Sequence, residues 1–282
     1  MKKTKNNRAM DHEIEPHNSD AERENIPSAR KEWESLFRGM WAGKLENGDL
    51  LPVGGTIFSD KLTARLRLDF ETFEAELSNI NPDKFRELYE TRREALAQWL
   101  EQVGPKEKID PYLFFSCMLL QSKVDALLQV SGEERDTLER KMKYVGEKTP
   151  ALSELRGQTM CAERAALTQY LLQRVGIESA YVGGATMFDA KDSTEEPEPH
   201  SFVVIPDKMD ASTTYVFDVA RPHSQKRLPY LLKTDVPMTS ELLAGKNELY
   251  VRAKEVLQGG ERWFGVGEPM NGEHEMIEVN NE

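Results

Sequence analysis

The sequence predicts an α+β fold, in which a helical N-terminal half packs on a core that contains an antiparallel β-sheet. Two observations lead to this prediction. Apolar residues recur at helical spacing through the first half, whereas the segments after residue 175 are short, bounded by turn residues and rich in Val, Tyr and Phe. With 282 residues, 39% of them hydrophobic, the chain can bury one sizeable core or two modest ones.

Start and stop residues divide the first half into helices. Asn81 is a typical N-cap and Pro82 a typical first helical residue, and Gly104 ends the apolar periodicity that follows. Asp110 starts the next helix in the same way, and Ser131 begins a capping box for another. The predicted helices span residues 28–41, 82–103, 111 to about 130, 131 to about 144, and 160–175. Residues 43–55, which follow the first helix, are predicted to be a loop or a small turn-rich insert.

The second half is predicted to be mainly sheet, because β-branched and aromatic residues cluster in short runs between turns. The predicted strands cover residues 180–182, 201–205, 214–219, 249–257 and 262–266. Gly259 and Gly260 are predicted to form the turn between the last two. We therefore expect a disordered arm at residues 1–26, a helical region at 27–145, a core with the candidate site at 146–267 and a disordered acidic tail at 268–282.

Composition and charge exclude several classes of function. A net charge of −12 and a pI near 5.1 disfavour a nucleic-acid partner. No apolar run approaches the roughly 18 to 20 residues that a membrane helix needs, and the N-terminus lacks the apolar stretch of a secretory signal. Two cysteines fit a reducing compartment, so we expect a cytoplasmic protein that does not contact membranes. No spacing typical of a zinc site and no phosphate-binding loop is present, so neither metal nor cofactor is expected.

Cys161 is the candidate nucleophile because it lies in the first turn of a predicted helix that Thr159 can cap. Unpaired backbone N–H groups and the helix dipole favour a thiolate there. The alternative is a small buried hydrophobic residue, which is what most cysteines are. We interpret Cys117, inside an apolar helix, as such a core residue.

His200 and Asp218 are the candidate partners of that thiol. They flank a predicted hairpin of two strands, in which pairs whose numbers sum to about 418 would face each other and the loop would close at residues 206 and 212. This register would set His200 opposite Asp218, close enough for the carboxylate to hold one imidazole tautomer. The combination predicts a Cys, His and Asp triad, although each residue alone is equally typical of a core, loop or strand-end position.

These residues together resemble the transglutaminase-like superfamily of cysteine enzymes. The resemblance covers roughly residues 150 to 222 and is carried by Cys-Ala-Glu-Arg-Ala-Ala-Leu from Cys161, by the run from Leu171 to Gly184, by His200-Ser-Phe and by Val-Phe-Asp ending at Asp218. It implies a papain-related core in which Cys161 is the nucleophile, His200 the general base and Asp218 the orienting residue. Two departures are Thr159, where the family often has Gly, and His-Ser-Phe in place of His-Ala-Trp.

The chemistry that follows is acyl transfer through a thioester, with the Cys161 backbone N–H as the simplest oxyanion donor. The Gln158 side chain is the candidate second donor, and the alternative is a solvated residue that precedes the helix. The favoured activity is that of a thiol peptidase or amidase on a protein or peptide. The alternatives are a glutamine deamidase or transglutaminase, which could be an effector delivered into another cell, and a binding protein without activity. Acidic residues crowd the loop before His200 and suggest a basic target, although such a run is equally typical of a solvated loop: Asp189, Asp192, Glu195, Glu196 and Glu198.

Overall fold

The computed structural model describes residues 42–53, 65–130, 140, 143–144, 149–187, 198–221, 228–237, 249–266 and 275–277. All of them belong to one unit, Glu32–Glu282. The predicted N-terminal arm, the helix predicted at 28–41 and most of the helix predicted at 131–144 lie outside the described residues. None of the helices in the described part is long and apolar enough to cross a membrane.

The described α-helices are α1 (Glu74–Leu77), α2 (Pro82–Val103), α3 (Pro111–Leu127) and α4 (Cys161–Arg174). The two long helices α2 and α3 begin at the residues that the sequence marks, whereas α1 was not predicted. The Asn81 side chain accepts the Lys84 backbone N–H at the start of α2, and Gly104 adopts a left-handed φ of 62° at its end. Asp110 caps α3 in the same way, by accepting the N–H of Tyr112. The predicted α2 and α3 are therefore confirmed.

Strands β4 to β9 form a closed antiparallel ring, because β9 pairs with both β8 and β4. The strands are β1 (Ala42–Gly43), β2 (Leu50–Pro52), β3 (Arg65–Arg67), β4 (Ala180–Met187), β5 (Glu198–Pro206), β6 (Thr214–Phe217), β7 (Leu231–Thr234), β8 (Leu249–Glu255), β9 (Glu261–Val266) and β10 (Glu275–Ile277). The α+β class is thus confirmed. The predicted turn at Gly259 joins β8 to β9, where its φ is 76°.

The structure also contains strands that the sequence did not predict. Strands β1 and β2 lie in the predicted 43–55 loop region, where β1 pairs with β4 and β2 with β3. The prediction that residues 268–282 are a disordered tail is wrong for β10, which pairs in parallel with β8. β7 pairs only with the Glu255 end of β8, and β10 pairs with the Leu249 end of the same strand.

Two apolar clusters hold the helices and the ring together. One fills the ring with alternate residues of its strands, among them Val182, Phe202, Val204 and Val216. The other combines the opposite faces of these strands with α2, α3 and α4. Burial of each large side chain in these clusters contributes about 1.5–3 kcal/mol. Because α4 packs directly on β4 and β5, its first residue lies near the strand that carries the predicted histidine.

Candidate active site

The loop before α4 is fixed to the end of α3. Gly157 has a φ of 80°, a conformation that favours glycine, and its N–H donates to the Leu128 carbonyl at 2.7 Å. Cys161 is the first helical residue, so its N–H has no partner within the helix. The Cys161 side chain is partly exposed, which leaves the thiol accessible.

The expected N-cap at Thr159 is wrong. Met160 is the N-cap, and its backbone N–H donates to the Glu163 carboxylate at 3.0 Å. A glutamate at the third helical position can satisfy this N–H by itself, so no hydroxyl cap is required. The Thr159 hydroxyl is instead buried, without a hydrogen-bond partner among the described residues.

The hairpin of β5 and β6 exists, but its register differs by two residues from the predicted one. Val203 faces Phe217 and Pro206 faces Thr214, so the predicted sum of about 418 is wrong and the pairs sum to 420. The Asp207 N–H donates to the Thr213 carbonyl, so the loop closes at residues 207 and 213 and not at 206 and 212 as predicted. A shift of two residues preserves the face of every side chain, so His200 and Asp218 lie diagonally on one face.

The structure brings Cys161, His200 and Asp218 together. Nε2 of His200 lies 2.8 Å from Oδ2 of Asp218, and both side chains are buried. The Cys161 thiol also interacts with the imidazole, since it is among the groups that raise the pKa of His200. The ring is therefore coupled to both the carboxylate and the thiol.

The charges of this cluster favour a protonated imidazole. Burial alone would lower the pKa of His200, but the Asp218 charge, the hydrogen bond to it and the Cys161 thiol together raise that pKa to about 10. Burial likewise would raise the pKa of Asp218, and the His200 charge outweighs burial and lowers it. At neutral pH the pair is consequently an imidazolium and a carboxylate.

The segment that carries Asp218 is held by both layers of the fold. Its own N–H donates to the Tyr230 carbonyl, and its Oδ1 accepts the Ala220 N–H at 3.2 Å. Gln121 from α3 donates to the Val219 carbonyl at 3.1 Å. These bonds leave the carboxylate little freedom to rotate away from His200. On the other side of the turn, Arg164 from α4 donates to the Ala220 carbonyl at 3.5 Å.

Gln158 lies three residues before Cys161, and its Oε1 is buried with no hydrogen-bond partner in the part of the chain that the structure describes. The amide oxygen is therefore turned towards the interior. Of the acidic residues predicted to line the site, Glu198 forms an ion pair with Arg221 at 3.2 Å. The others, Asp189 to Glu196, lie outside the described residues. The predicted preference for a basic target remains a prediction.

Sequence reasoning missed Arg140 and Glu163, which are buried beside Cys161 and form an ion pair at 2.7 Å. The glutamate could have been found from its position three residues after the N-cap, which is where a capping carboxylate occurs. The arginine carries no such signal. Cys117 is fully buried in α3, as predicted, and burial raises the pKa of its thiol. No group of residues suited to a metal ion occurs in the described ranges.

Comparison with known proteins gives little support for any particular family. No protein-family model matches the chain, and no curated protein matches it. Among solved structures, the chain is similar to an arylamine N-acetyltransferase from Mycobacterium abscessus, with 16% identity and a TM-score of 0.27 over 63% of this chain. The match spans 65% of that enzyme's length. A similarity of this size does not establish a shared family or activity.

Proposed function

We propose that this protein catalyses cysteine-dependent acyl transfer on a protein or peptide amide, as a thiol peptidase or amidase. The observation that carries the proposal is one buried imidazole whose Nε2 lies 2.8 Å from Oδ2 of Asp218 and whose pKa is raised in part by the Cys161 thiol. A partly exposed thiol at a helix start, paired with a histidine that a carboxylate orients, is the arrangement that thiol nucleophiles require.

In this mechanism the Cys161 sulfur attacks the amide carbonyl carbon, and the carbonyl oxygen takes up the negative charge. The Cys161 backbone N–H and the Gln158 amide stabilise that oxygen. The C–N bond then breaks, and the leaving amine takes a proton from the His200 imidazolium. His200, now neutral, removes a proton from the water that attacks the thioester, and collapse of the tetrahedral intermediate releases the acid and restores the Cys161 thiolate beside the His200 imidazolium. Asp218 holds the ring and stays ionised throughout.

Membership of the transglutaminase-like superfamily belongs to this proposal. It is supported by the order of the three side chains, with the cysteine on a helix start and the histidine and aspartate on neighbouring strands. The closed ring of β4 to β9, however, is not a clear example of that core. Glutamine deamidation and cross-linking remain alternatives, because they share the first half of the mechanism. Cytoplasmic residence and delivery into another cell remain predictions from the sequence.

The test is the rate of Cys161 alkylation by iodoacetamide between about pH 5 and pH 9, followed by mass spectrometry of the peptide that contains it. We expect fast alkylation at the acidic end in the wild type and a fall of about tenfold or more in His200→Ala, because the imidazolium no longer stabilises the thiolate. A slow thiol that is indifferent to His200 would remove the catalytic proposal and favour a binding protein.

The products then identify the reaction. Incubation with peptide libraries should release new chain ends if the protein is a peptidase. Release of ammonia without chain cleavage would instead indicate a glutamine deamidase, and incorporation of a labelled amine a transglutaminase. Cys161→Ser is the matched control, because it keeps the size of the side chain and removes the thiol.

A further inference from the structure

A buried carboxylate lies in the first turn of α4, two residues from the Cys161 thiol. Glu163 is 0% exposed. Its Oε2 accepts the Met160 N–H at 3.0 Å, and its Oε1 accepts the Arg140 guanidinium at 2.7 and 3.1 Å and the Tyr144 hydroxyl at 2.7 Å. Burial would raise the pKa of Glu163, but Arg140 and these other donors outweigh burial and lower it. The carboxylate is therefore ionised.

Arg140 provides the compensating charge. It is 3% exposed and lies over the Tyr144 ring, 5.1 Å from its centroid. Burial would lower the pKa of Arg140, and the Glu163 carboxylate, 2.7 Å from the guanidinium, is the largest cause that raises it. The Cys161 side chain contributes to the same rise, so the guanidinium interacts with both groups.

Without this cation, Glu163 would oppose the chemistry of its neighbour. A buried, unpaired carboxylate disfavours the charged form of a thiol close to it, because like charges repel and burial reduces screening by water. The carboxylate nevertheless has a structural role, because Glu163 accepts the backbone N–H of Met160, the N-cap of the helix that carries the nucleophile. Pairing with Arg140 allows Glu163 to cap this helix without repelling the Cys161 thiolate.

We propose that Arg140 is a positioning residue of the nucleophile helix. It neutralises Glu163, so that the carboxylate holds the Met160 N-cap without repelling the Cys161 thiolate. The inference depends on the proposed function, since it concerns the reactivity of the same thiol.

The other titratable groups that face this thiol in the described part of the chain are His200 on β5 and Tyr181 on β4. Tyr181 donates to the Ser201 hydroxyl at 2.8 Å, and burial raises its pKa, so it is neutral at the pH values of interest. Tyr144 is neutral for the same reason. The charge balance at the thiol is consequently set by His200, Arg140 and Glu163, with Asp218 acting through the imidazole.

The experiment compares the pH profile of Cys161 alkylation in wild type, Arg140→Gln, Arg140→Lys and the double variant Arg140→Gln with Glu163→Gln. Arg140→Gln should move the profile up by about 1 pH unit and slow alkylation near pH 6 about tenfold, because the carboxylate is left unpaired. Arg140→Lys, which retains the charge, should keep a profile close to that of the wild type. The double variant should also return close to it, because it contains no buried charge at this position.

Urea unfolding of the same proteins separates this role from a purely structural one. The double variant should remain less stable than the wild type while its alkylation profile recovers, and a merely structural pair would give no such recovery. If Arg140→Gln does not fold, the test rests on Arg140→Lys and the double variant. Alkylation profiles displaced to higher pH in both of these variants would overturn the proposal. An unchanged profile in folded Arg140→Gln also overturns it, provided that wild-type alkylation depends on His200. If wild-type alkylation lacks that dependence, the proposed function has failed instead.

Discussion

Replacing Asp218 by Asn should remove the charge that keeps the His200 imidazole protonated, while preserving the size of the side chain. The two groups lie 2.8 Å apart, and unit charges at that distance in an effective dielectric of about 20 attract each other by about 6 kcal/mol. Since about 1.4 kcal/mol corresponds to one pKa unit, this attraction can raise a pKa by about 4 units. It is therefore large enough to overcome burial and raise the pKa of His200 from 6.5 to about 10. In Asp218→Asn burial is opposed only by the Cys161 thiol, and the pKa of His200 should fall well below 10.

The assay is a titration of the His200 ring signals by NMR in the wild type and in Asp218→Asn, with a His200→Gln spectrum to assign them. We expect a midpoint near pH 10 in the wild type and a midpoint well below that in the variant. Asp207→Asn is the matched control, because Asp207 lies at the other end of the same hairpin, where it accepts from Lys233. Equal midpoints in the wild type and Asp218→Asn would refute the reasoning.

Asp218→Asn should also change the pH dependence of the free energy of unfolding, in a direction that follows from the two pKa shifts. The pKa of His200 is raised in the folded state, so its contribution to stability is complete below about pH 6.5 and is lost as the pH rises through about 10. The pKa of Asp218 is lowered, so its contribution is present above its usual value of 3.8 and is lost as the pH falls through the folded-state value. The difference in the free energy of unfolding between wild type and Asp218→Asn should therefore be largest between these limits.

Two further substitutions test the surroundings of the thiol. Gln158→Ala should lower kcat/KM for acyl transfer about 10- to 100-fold and change the alkylation of Cys161 little. The reason is that an oxyanion donor acts on the substrate oxygen and not on the thiol. Equal losses in both assays would contradict that role. Cys117→Ser should lower the free energy of unfolding in urea by about 1–3 kcal/mol, because it places a hydroxyl at a fully buried site, and it should leave Cys161 alkylation unchanged. A stable Cys117→Ser variant with altered Cys161 reactivity would indicate that Cys117 has a role beyond packing.

The helix and the strands that carry the candidate site could be predicted from local sequence signals, whereas the buried residues that hold them in place could not. The helix at Cys161 and the strands on either side of residue 210 are marked by residue type and periodicity. The predicted register was wrong by two residues, yet His200 and Asp218 still share a face, because side chains alternate along a strand. A one-residue error would have turned one of them away.

The buried charges could not be predicted, because nothing in a single sequence tells an arginine in the core from one on the surface. Arg140 and Glu163 are separated by 23 residues, and pairing across that distance is a property of the tertiary fold. The short strands β1, β7 and β10 were missed for a related reason. Their few residues carry weak patterns of their own, and each pairs with a longer strand, β1 with β4 and both β7 and β10 with β8.

The bonds from the helical half to the site have a consequence for how this protein could be shortened or recombined. A fragment of residues 146–267 would contain all three side chains of the proposed triad. It would lack Leu128, whose carbonyl holds Gly157, and Gln121, which holds the turn after Asp218. It would also lack Arg140, the counter-charge of the helix start. Such a fragment would contain the reacting groups but not the residues that hold them in position. A fragment intended to keep the proposed activity should therefore begin upstream of α3.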